Sequence, residues 1–405
     1  MAKAIKLHWV LLALIFAFDS ELIRVFLGDP INDIIKIIGT LFIYLYAAKN
    51  RNSRYKLDYI LLTICLLVVY VLLISILQSG LSGLIGSIKF VWRFSLIFLI
   101  FFLITPSIAN QIARVVSGVG LILSIQSLLL FLLVIFHLEP SYNLVARYSD
   151  TDLFKSYGVL GFLNVNTGWS LRLQSFFSEP TNFAKFLILP LYYYVWKWRS
   201  LKVLKYGIYS LIVGTAILFT FSVTAVISIF VSSVLMLYYR SKQFSLTRIA
   251  LIFMLGFSLS NAHTLFSSDV DKTRTDLLMS SFQRDDASSS IRKEFIDEVI
   301  NIIEVNWYGV GFVTDNFIGG LLPLAPTRWL LYGGYIGLVL MVILHIIIFW
   351  KGRIDAGKIN IGIFFIVGLC QFLISLIHGS WFELNYWLLM GLMIPKNTIS
   401  YEINN

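Results

Sequence analysis

Long uninterrupted apolar runs, separated by short charged connections, dominate the chain. An α-helix needs about 20 apolar residues to cross a hydrocarbon core of about 30 Å. By that measure the pattern predicts about twelve crossing helices. The predicted spans are 7–26, 31–48, 57–77, 88–104, 115–137, 181–196, 204–220, 223–239, 247–264, 327–350, 359–378 and 382–394.

Composition agrees with a chain embedded in a membrane. Of its 405 residues, 58% are hydrophobic and only 13% are charged, whereas a soluble domain has about 25% charged residues. So few charges would not cover the surfaces of several soluble domains. Residues 1–405 are therefore interpreted as one polytopic membrane domain. The two cysteines, both in apolar runs, exclude a disulfide-rich secreted scaffold.

The distribution of charge predicts the orientation of the chain. Alternate connections hold 18 of the 32 basic residues, and the acids in those connections are Asp355 and Glu402 alone. The positive-inside rule places these connections and both termini in the cytoplasm. The net charge of +10 reflects this asymmetry and does not indicate a nucleic-acid partner.

Residues 204–239 test the number of crossings. A single helix of these 36 residues would be about 54 Å long, too long for one bilayer. Basic clusters flank the stretch at both ends, so it must cross an even number of times. The sequence therefore predicts two spans joined by a tight hairpin near residues 221–224.

Two long segments fall on the opposite, periplasmic side. Residues 138–180 have a net charge of −1, and residues 265–326 contain five basic and ten acidic residues. Loops of this length in a helical bundle are uncommon unless they are functional. The predicted fold is an all-α integral membrane bundle of about twelve helices with two large periplasmic loops.

The first candidate site is the segment RLQSFFSEP, residues 172–180, which leads into the sixth span. Pro180 suits the first turn of a helix, and Ser178 is a candidate N-cap. Glu179 would lie at the positive end of the helix dipole. Either it only compensates that dipole, or it accepts a proton or orients a sugar hydroxyl. Arg172 is then its partner or an anion ligand.

The second candidate site is the segment SSSIRKEFIDEVI, residues 288–300, whose apolar stripe predicts an amphipathic helix lying on the membrane. A turn rich in glycine and aromatic residues follows at 307–312. Arg292 either pairs with nearby acids or reaches an anionic head group, because a guanidinium fork suits phosphate and carboxylate.

Further cations lie at span boundaries. Lys89 and Arg93 share one face at the outer end of the fourth span. A cation in hydrocarbon costs about 2.5–3.5 kcal/mol, so the pair requires an anionic partner, either an internal acid or a lipid phosphate. Arg328 opens the tenth span. His378, in the last outer turn, is either a hydrogen-bonded interfacial residue or a catalyst.

The outer loops are rich in aromatic residues, most of which are interfacial anchors. Trp169 and Tyr308 are candidates for stacking on sugar rings, and Arg147 is a further candidate substrate ligand. The sequence contains no GxxxxGK[ST] phosphate loop, HExxH, CxxC or GxSxG motif. We therefore expect chemistry without a metal or a cofactor.

Three stretches resemble the O-antigen polymerase and ligase superfamily of bacterial envelopes. They are an Arg-x6-Glu-Pro segment (172–184), a Ser-Arg helix leading to Gly-x-Gly (290–312), and RWLLYGGYIG with its flanks (326–337). The resemblance implies a Wzy-type polymerase, a GT-C-like membrane glycosyltransferase of the bacterial inner membrane. Such an enzyme takes part in lipopolysaccharide and surface-polysaccharide biosynthesis.

The resemblance also implies the reaction. The growing chain leaves its undecaprenyl pyrophosphate carrier and moves onto a new lipid-linked repeat unit at the periplasmic face. The partners are then the lipid-linked donor and acceptor and membrane lipid, with a chain-length regulator protein as a further candidate. Arginines can stabilise a departing pyrophosphate without metal, and the acceptor hydroxyl needs a base. The candidate pyrophosphate ligands are Arg172, Arg292, Arg328, Lys89 and Arg93, and the candidate bases are Glu179 and His378.

Two alternatives stay open. An O-antigen ligase on the same scaffold is expected to carry a histidine just before the tenth span, where this chain has Ala325-Pro326-Thr327-Arg328. A transporter or flippase of lipid-linked oligosaccharides suits twelve spans. It should, however, show repeated halves and charges near the bilayer midplane.

Overall fold

The computed structural model of the protein is mostly helical over the residues that it describes. These residues are 9–10, 12–14, 23, 27–49, 59–103, 106–136, 154–156, 162–164, 172–177, 179–240, 287–311, 325–355, 362–377, 386 and 390. The helices are α1 Asp29–Lys49, α2 Tyr59–Leu103, α3 Pro106–Ile135, α4 Pro180–Leu201, α5 Leu204–Phe219, α6 Val223–Arg240, α7 Ala287–Val305, α8 Ala325–Asp355 and α9 Gly362–Ile377.

Three helical segments in the described residues are long and apolar enough to cross a membrane. They are Tyr59–Leu81, Asn110–Val134 and Pro326–Trp350. This confirms the prediction of a mostly helical chain that contains helices able to span a membrane. The number of twelve spans and the side on which each loop lies stay predictions.

A small antiparallel sheet lies within the predicted loop 138–180. Its strands are β1 Phe154–Ser156, β2 Phe162–Asn164 and β3 Arg172–Ser175, in the order β1-β2-β3. The prediction of an all-α fold was therefore wrong for this segment. Strands of three or four residues are too short for an alternating pattern to be recognised in the sequence.

Helix α2 consists of two helical arms joined at Gly80, which has φ 55° and ψ −131°. A straight helix of 45 residues would be about 67 Å long. Gly83 lies so close to Ser75 that a Cβ atom added to the glycine would overlap the Ser75 carbonyl oxygen. In a straight helix the two residues would be about 12 Å apart. The chain therefore bends sharply, and its two arms correspond to the predicted spans 57–77 and 88–104.

Helices α3, α4, α5, α6 and α9 share one apolar core with β3. Helices α3 and α4 are antiparallel, because Pro190 lies against Gly120 while the Tyr194 hydroxyl donates to the Ser117 carbonyl at 2.9 Å. The turn between α5 and α6 falls at residues 220–222, where Phe221 has φ 49°. This confirms the predicted turn that divides the stretch 204–239 into two helices, and the two bilayer crossings stay a prediction.

A second helix group contains the first arm of α2, α7 and α8. Helices α2 and α8 are antiparallel: Tyr70 faces Gly337, whereas Ser75 lies beside the loop that bonds to Tyr332. Helix α7 packs on α8 through Val299, whose side chain is fully buried. Helix α9 contacts both groups.

Most of the other predicted helices agree with the structure in position, and one begins earlier than predicted. Helices α1, α8 and α9 match the spans predicted at 31–48, 327–350 and 359–378, and α7 matches the predicted amphipathic helix. Helix α3 begins at Pro106 instead of 115. The span 247–264 lies outside the described residues. The spans 7–26 and 382–394 are described only at a few helical positions.

Candidate functional site

The segment 172–180 joins β3 to α4 through a tight turn. The Phe177 N–H donates to the Gln174 carbonyl at 3.1 Å, and the Gln174 side-chain amide donates to the Phe177 carbonyl at 2.6 Å. Between them Ser175 adopts φ 54°, a conformation that L-residues rarely occupy. Two reciprocal hydrogen bonds thus hold a strained turn immediately before α4.

Glu179 is the N-cap of α4. Its backbone carbonyl accepts hydrogen bonds from the N–H groups of Asn182 and Phe183. Pro180 takes the first helical position, as predicted, because a proline there loses no intrahelical hydrogen bond. The prediction of Ser178 as the N-cap was wrong by one residue, because the N-cap is Glu179.

The Glu179 side chain is exposed and makes no capping hydrogen bond. Within the described part of the chain, its carboxylate has no ion-pair or hydrogen-bond partner. A carboxylate in this setting can accept a proton or a hydroxyl hydrogen bond from a ligand. This exposed position allows the chemical role predicted for Glu179. The carboxylate also lies near the positive end of the α4 dipole.

Arg172 contacts the α5–α6 turn. Its Nε donates to the Thr220 carbonyl at 2.9 Å and its Nη2 donates to the Phe221 carbonyl at 3.4 Å. These carbonyls end α5, where the helix dipole favours a cation. The residue predicted as a pyrophosphate ligand therefore connects β3 to the end of a neighbouring helix.

The α5–α6 turn also contacts the start of α4. The Ser222 hydroxyl lies 3.3 Å from the Thr181 hydroxyl, and the Ser222 oxygen lies 3.4 Å from the backbone nitrogen of Ala225, in the first turn of α6. Strand β3, the first turn of α4 and the α5–α6 turn thus form one polar region. We call it the α4 cap; it comprises Arg172, Glu179, Thr181, Thr220 and Ser222.

Lys185 was not among the predicted site residues, and it is buried with 2% of its surface exposed. It lies about 8 Å along α4 from Pro180. Gln371 of α9, also buried, donates to the Lys185 backbone carbonyl at 2.6 Å. Ionisable residues inside membrane segments are candidate functional residues. The signal was visible as a lone lysine within the apolar run 181–196.

The second candidate region lies where the loop after α7 crosses a bend in α8. The N–H groups of Val310 and Gly311 donate to the carbonyls of Leu331 and Tyr332, each at 2.9 Å, and Tyr335 N–H donates to the Trp307 carbonyl at 3.0 Å. In an unbroken helix Tyr335 would donate to Leu331. The bend therefore exchanges helical hydrogen bonds for bonds to the loop.

Close approach of the two backbones explains the glycines of both motifs. A Cβ atom at Gly309 would lie 2.5 Å from the Gly334 nitrogen, and one at Gly334 would overlap the Trp307 carbonyl oxygen. A Cβ atom at Gly311 would lie 2.5 Å from the Cα of Ser75 in α2. We call Gly309, Gly311, Gly334 and Ser75 the glycine junction.

Two predicted site residues lie at or near the glycine junction. Tyr308 is half-buried, its carbonyl accepts the Tyr70 hydroxyl at 3.0 Å, and its ring packs edge-on against Trp307 at 5.7 Å. Arg328 is half-buried and lies in the first turns of α8, before the bend at Gly334. Arg328 is therefore carried by the same helix as the junction.

The other predicted residues are placed less fully. The helix backbone is described for Arg292, in α7, and for Lys89 and Arg93, in the second arm of α2. His378, Arg147 and Trp169 lie outside the described residues. Arg172 lies on β3 in the first helix group, whereas Arg292 and Arg328 are carried by α7 and α8 in the second. The predicted cluster of these three arginines therefore stays a prediction.

One histidine has a structural role. His345 of α8 is buried, with Nδ1 2.7 Å from the Met341 carbonyl and Nε2 2.5 Å from the Tyr386 hydroxyl. A carbonyl only accepts, so Nδ1 carries the proton and Nε2 accepts from Tyr386. This pair joins α8 to the region of Tyr386 and lies in the core of the second helix group.

No protein-family model, curated protein or solved structure matches the chain.

Proposed function

We propose that the chain is an integral-membrane glycosyltransferase that polymerises undecaprenyl-pyrophosphate-linked oligosaccharide repeat units into surface polysaccharide at the periplasmic face. One observation carries the proposal. Two stretches that resemble O-antigen polymerases, 290–312 and 326–337, meet at the glycine junction through three backbone hydrogen bonds. Motifs that are separate in sequence and joined in space are typical of one functional unit.

The third resembling stretch, 172–184, forms the α4 cap. Its Arg-x6-Glu-Pro pattern places an exposed carboxylate at the start of a helix, while the arginine holds the neighbouring α5–α6 turn. This geometry suggests separate roles for the two residues. Glu179 is the proposed group that contacts substrate, and Arg172 is a positioning residue that fixes β3 and, through it, the start of α4.

The proposed reaction is a displacement at the anomeric carbon of the growing chain. The acceptor hydroxyl oxygen forms the new glycosidic bond, and the bond to the carrier pyrophosphate breaks, with its electron pair leaving on the phosphate oxygen. Glu179 takes the hydroxyl proton. Arg328 and Arg292 are the proposed ligands of the leaving pyrophosphate, because guanidinium groups stabilise developing phosphate charge.

The test uses the purified full chain in lipid vesicles supplied only with undecaprenyl-pyrophosphate-linked repeat units, with product length read on a gel. Glu179→Gln should lower polymerisation by at least about 100-fold, the usual effect of losing a general base. The matched control is Asp33→Asn, which changes an exposed carboxylate of α1 and should leave the ladder unchanged. A full ladder from normally folded Glu179→Gln would rule out that residue as the base.

The same vesicles distinguish the alternatives. A ligase would make no longer chains from lipid-linked units alone, and a transporter would move those units across the bilayer without extending them. Buried Lys185 favours transport, because transporters place ionisable groups inside helices. It lies about 8 Å into a helix of 22 residues, but it is the one Asp, Glu, Lys or Arg in residues 181–196. Because a transport path needs more charge than this and does not account for the resembling stretches, we favour polymerisation.

A further inference from the structure

The connection between α4 and α5 is strongly basic. Lys197, Arg199, Lys202 and Lys205 fall within nine residues, and residues 180–240 contain no Asp or Glu. The side chains of Arg199, Lys202 and Lys205 are exposed. In the described part of the chain no ion pair involves any of the four cations. The connection therefore presents a dense, locally uncompensated positive charge.

The tertiary structure adds a fifth cation from a third helix. Helices α3 and α4 are antiparallel, with Ser117 bonded to Tyr194. Arg114 precedes Ser117 by about one turn, so the antiparallel packing places it level with the last turns of α4. The Arg114 side chain is exposed. Arg114 is far from the other four cations in the sequence, so only the fold shows that they lie together. We call Arg114, Lys197, Arg199, Lys202 and Lys205 the basic end.

Apolar side chains lie exposed among these cations. The exposed fractions are 47% for Trp198, 52% for Leu201 and 72% for Leu204. The Trp198 ring is held in place on one side, since it lies 3.2 Å from the Cβ position of Gly207. Such a mixture of indole, leucine and ammonium groups matches the boundary between phospholipid head groups and acyl chains.

Aromatic rings hold two of the ammonium groups. The Lys197 Nζ lies 4.9 Å from the Trp196 ring centroid, and the Lys205 Nζ lies 5.1 Å from that of Tyr206. These contacts restrict the side chains without neutralising their charge. The cations are thus partly preorganised for an anionic ligand, which lowers the entropic cost of binding.

We propose that the basic end is a binding site for the phosphate of anionic phospholipid head groups. The charge selects an anion. The exposed apolar residues favour a lipid over soluble phosphate, because they can bury against acyl chains. This site lies at the end of α4 opposite to the α4 cap, and the proposal does not depend on the function proposed above.

The test measures anisotropy of fluorescently labelled phosphatidylglycerol bound to the purified full chain in detergent, with unlabelled phosphatidylglycerol or phosphatidylcholine as competitor. We expect phosphatidylglycerol to compete better and its advantage to fall as salt rises. Lys202→Gln with Lys205→Gln should weaken phosphatidylglycerol binding by about 25-fold, or about 5-fold for each charge.

Two controls separate charge from folding. Lys202→Arg with Lys205→Arg keeps both charges and should bind phosphatidylglycerol as the wild type does. Lys36→Gln removes a cation of α1 that is paired with Asp33 and should also bind normally. Equal competition by the two lipids, or an unchanged preference in the glutamine variant, would overturn the proposal. Displacement by soluble glycerol phosphate at equal concentration would overturn it in favour of a free-phosphate site.

Discussion

The α4 cap and the glycine junction both contain motif residues, but different interactions hold them together. In the α4 cap, side chains make the contacts: Arg172 reaches backbone carbonyls and Ser222 reaches Thr181. In the glycine junction, main chain bonds directly to main chain and there is no room for a Cβ atom. The cap should therefore be sensitive to side-chain chemistry, and the junction to any added atom.

The largest effect should come from Gly334→Ala. Its φ of 60° and ψ of −161° are strained for an L-residue, and the new Cβ would overlap the Trp307 carbonyl oxygen. We expect a loss of at least about 3 kcal/mol in the free energy of unfolding. Thermal unfolding of the purified chain in detergent measures it.

Gly118→Ala is the matched control for the junction. It adds the same methyl group within α3, where no side chain and no other element among the described residues lies within 4 Å of the new Cβ. We expect its unfolding temperature to equal or exceed that of the wild type, because alanine favours helix. Equal destabilisation by the two substitutions would mean that backbone contact does not define the junction.

An intermediate effect should come from Arg172→Ala in the α4 cap. The change removes two hydrogen bonds from a charged group to the Thr220 and Phe221 carbonyls. We expect a loss of about 2 kcal/mol. Arg199→Ala, at an exposed site, should change stability by less than about 0.5 kcal/mol. If the two variants unfold at the same temperature, Arg172 does not hold the turn.

The smallest effect should come from Tyr70→Phe, which tests a side-chain hydrogen bond from α2 to the loop of the glycine junction. It removes the hydroxyl that donates to the Tyr308 carbonyl, at a cost of about 1 kcal/mol. Tyr59→Phe, on the same helix with 75% exposure, is the control and should have no effect. A larger loss than for Arg172→Ala would show that side chains dominate the junction as well.

Much of the helical fold follows from local sequence. The run lengths predicted α1, α8 and α9, and the spacing of apolar residues predicted α7. The length of 204–239 between basic clusters predicted a turn near 221–224, and the structure has it at 220–222. Pro180 marked the start of α4, because a residue without an N–H loses no intrahelical hydrogen bond in the first turn. Each of these features depends on neighbours a few residues away or on the thickness of a bilayer.

The site could be predicted only in its parts. The sequence located Glu179 and both glycine motifs, yet the contact between Gly309 and Gly334 depends on two backbones bending toward each other. Arg172 was assigned to a phosphate, because its carbonyl partners lie 48 and 49 residues away. Lys185 was overlooked, since one charge in an apolar run does not reveal its neighbours.

The sequence by itself predicted helices long and apolar enough to cross a membrane, most of their positions, and the segments that are rich in polar residues. Hydrophobicity and local backbone preference are properties of short segments, so they can be read without the fold. Only the tertiary structure decided which motifs meet, which arginine holds a turn and which cations form the basic end. These depend on antiparallel packing and backbone bends, which bring together residues that are far apart along the chain.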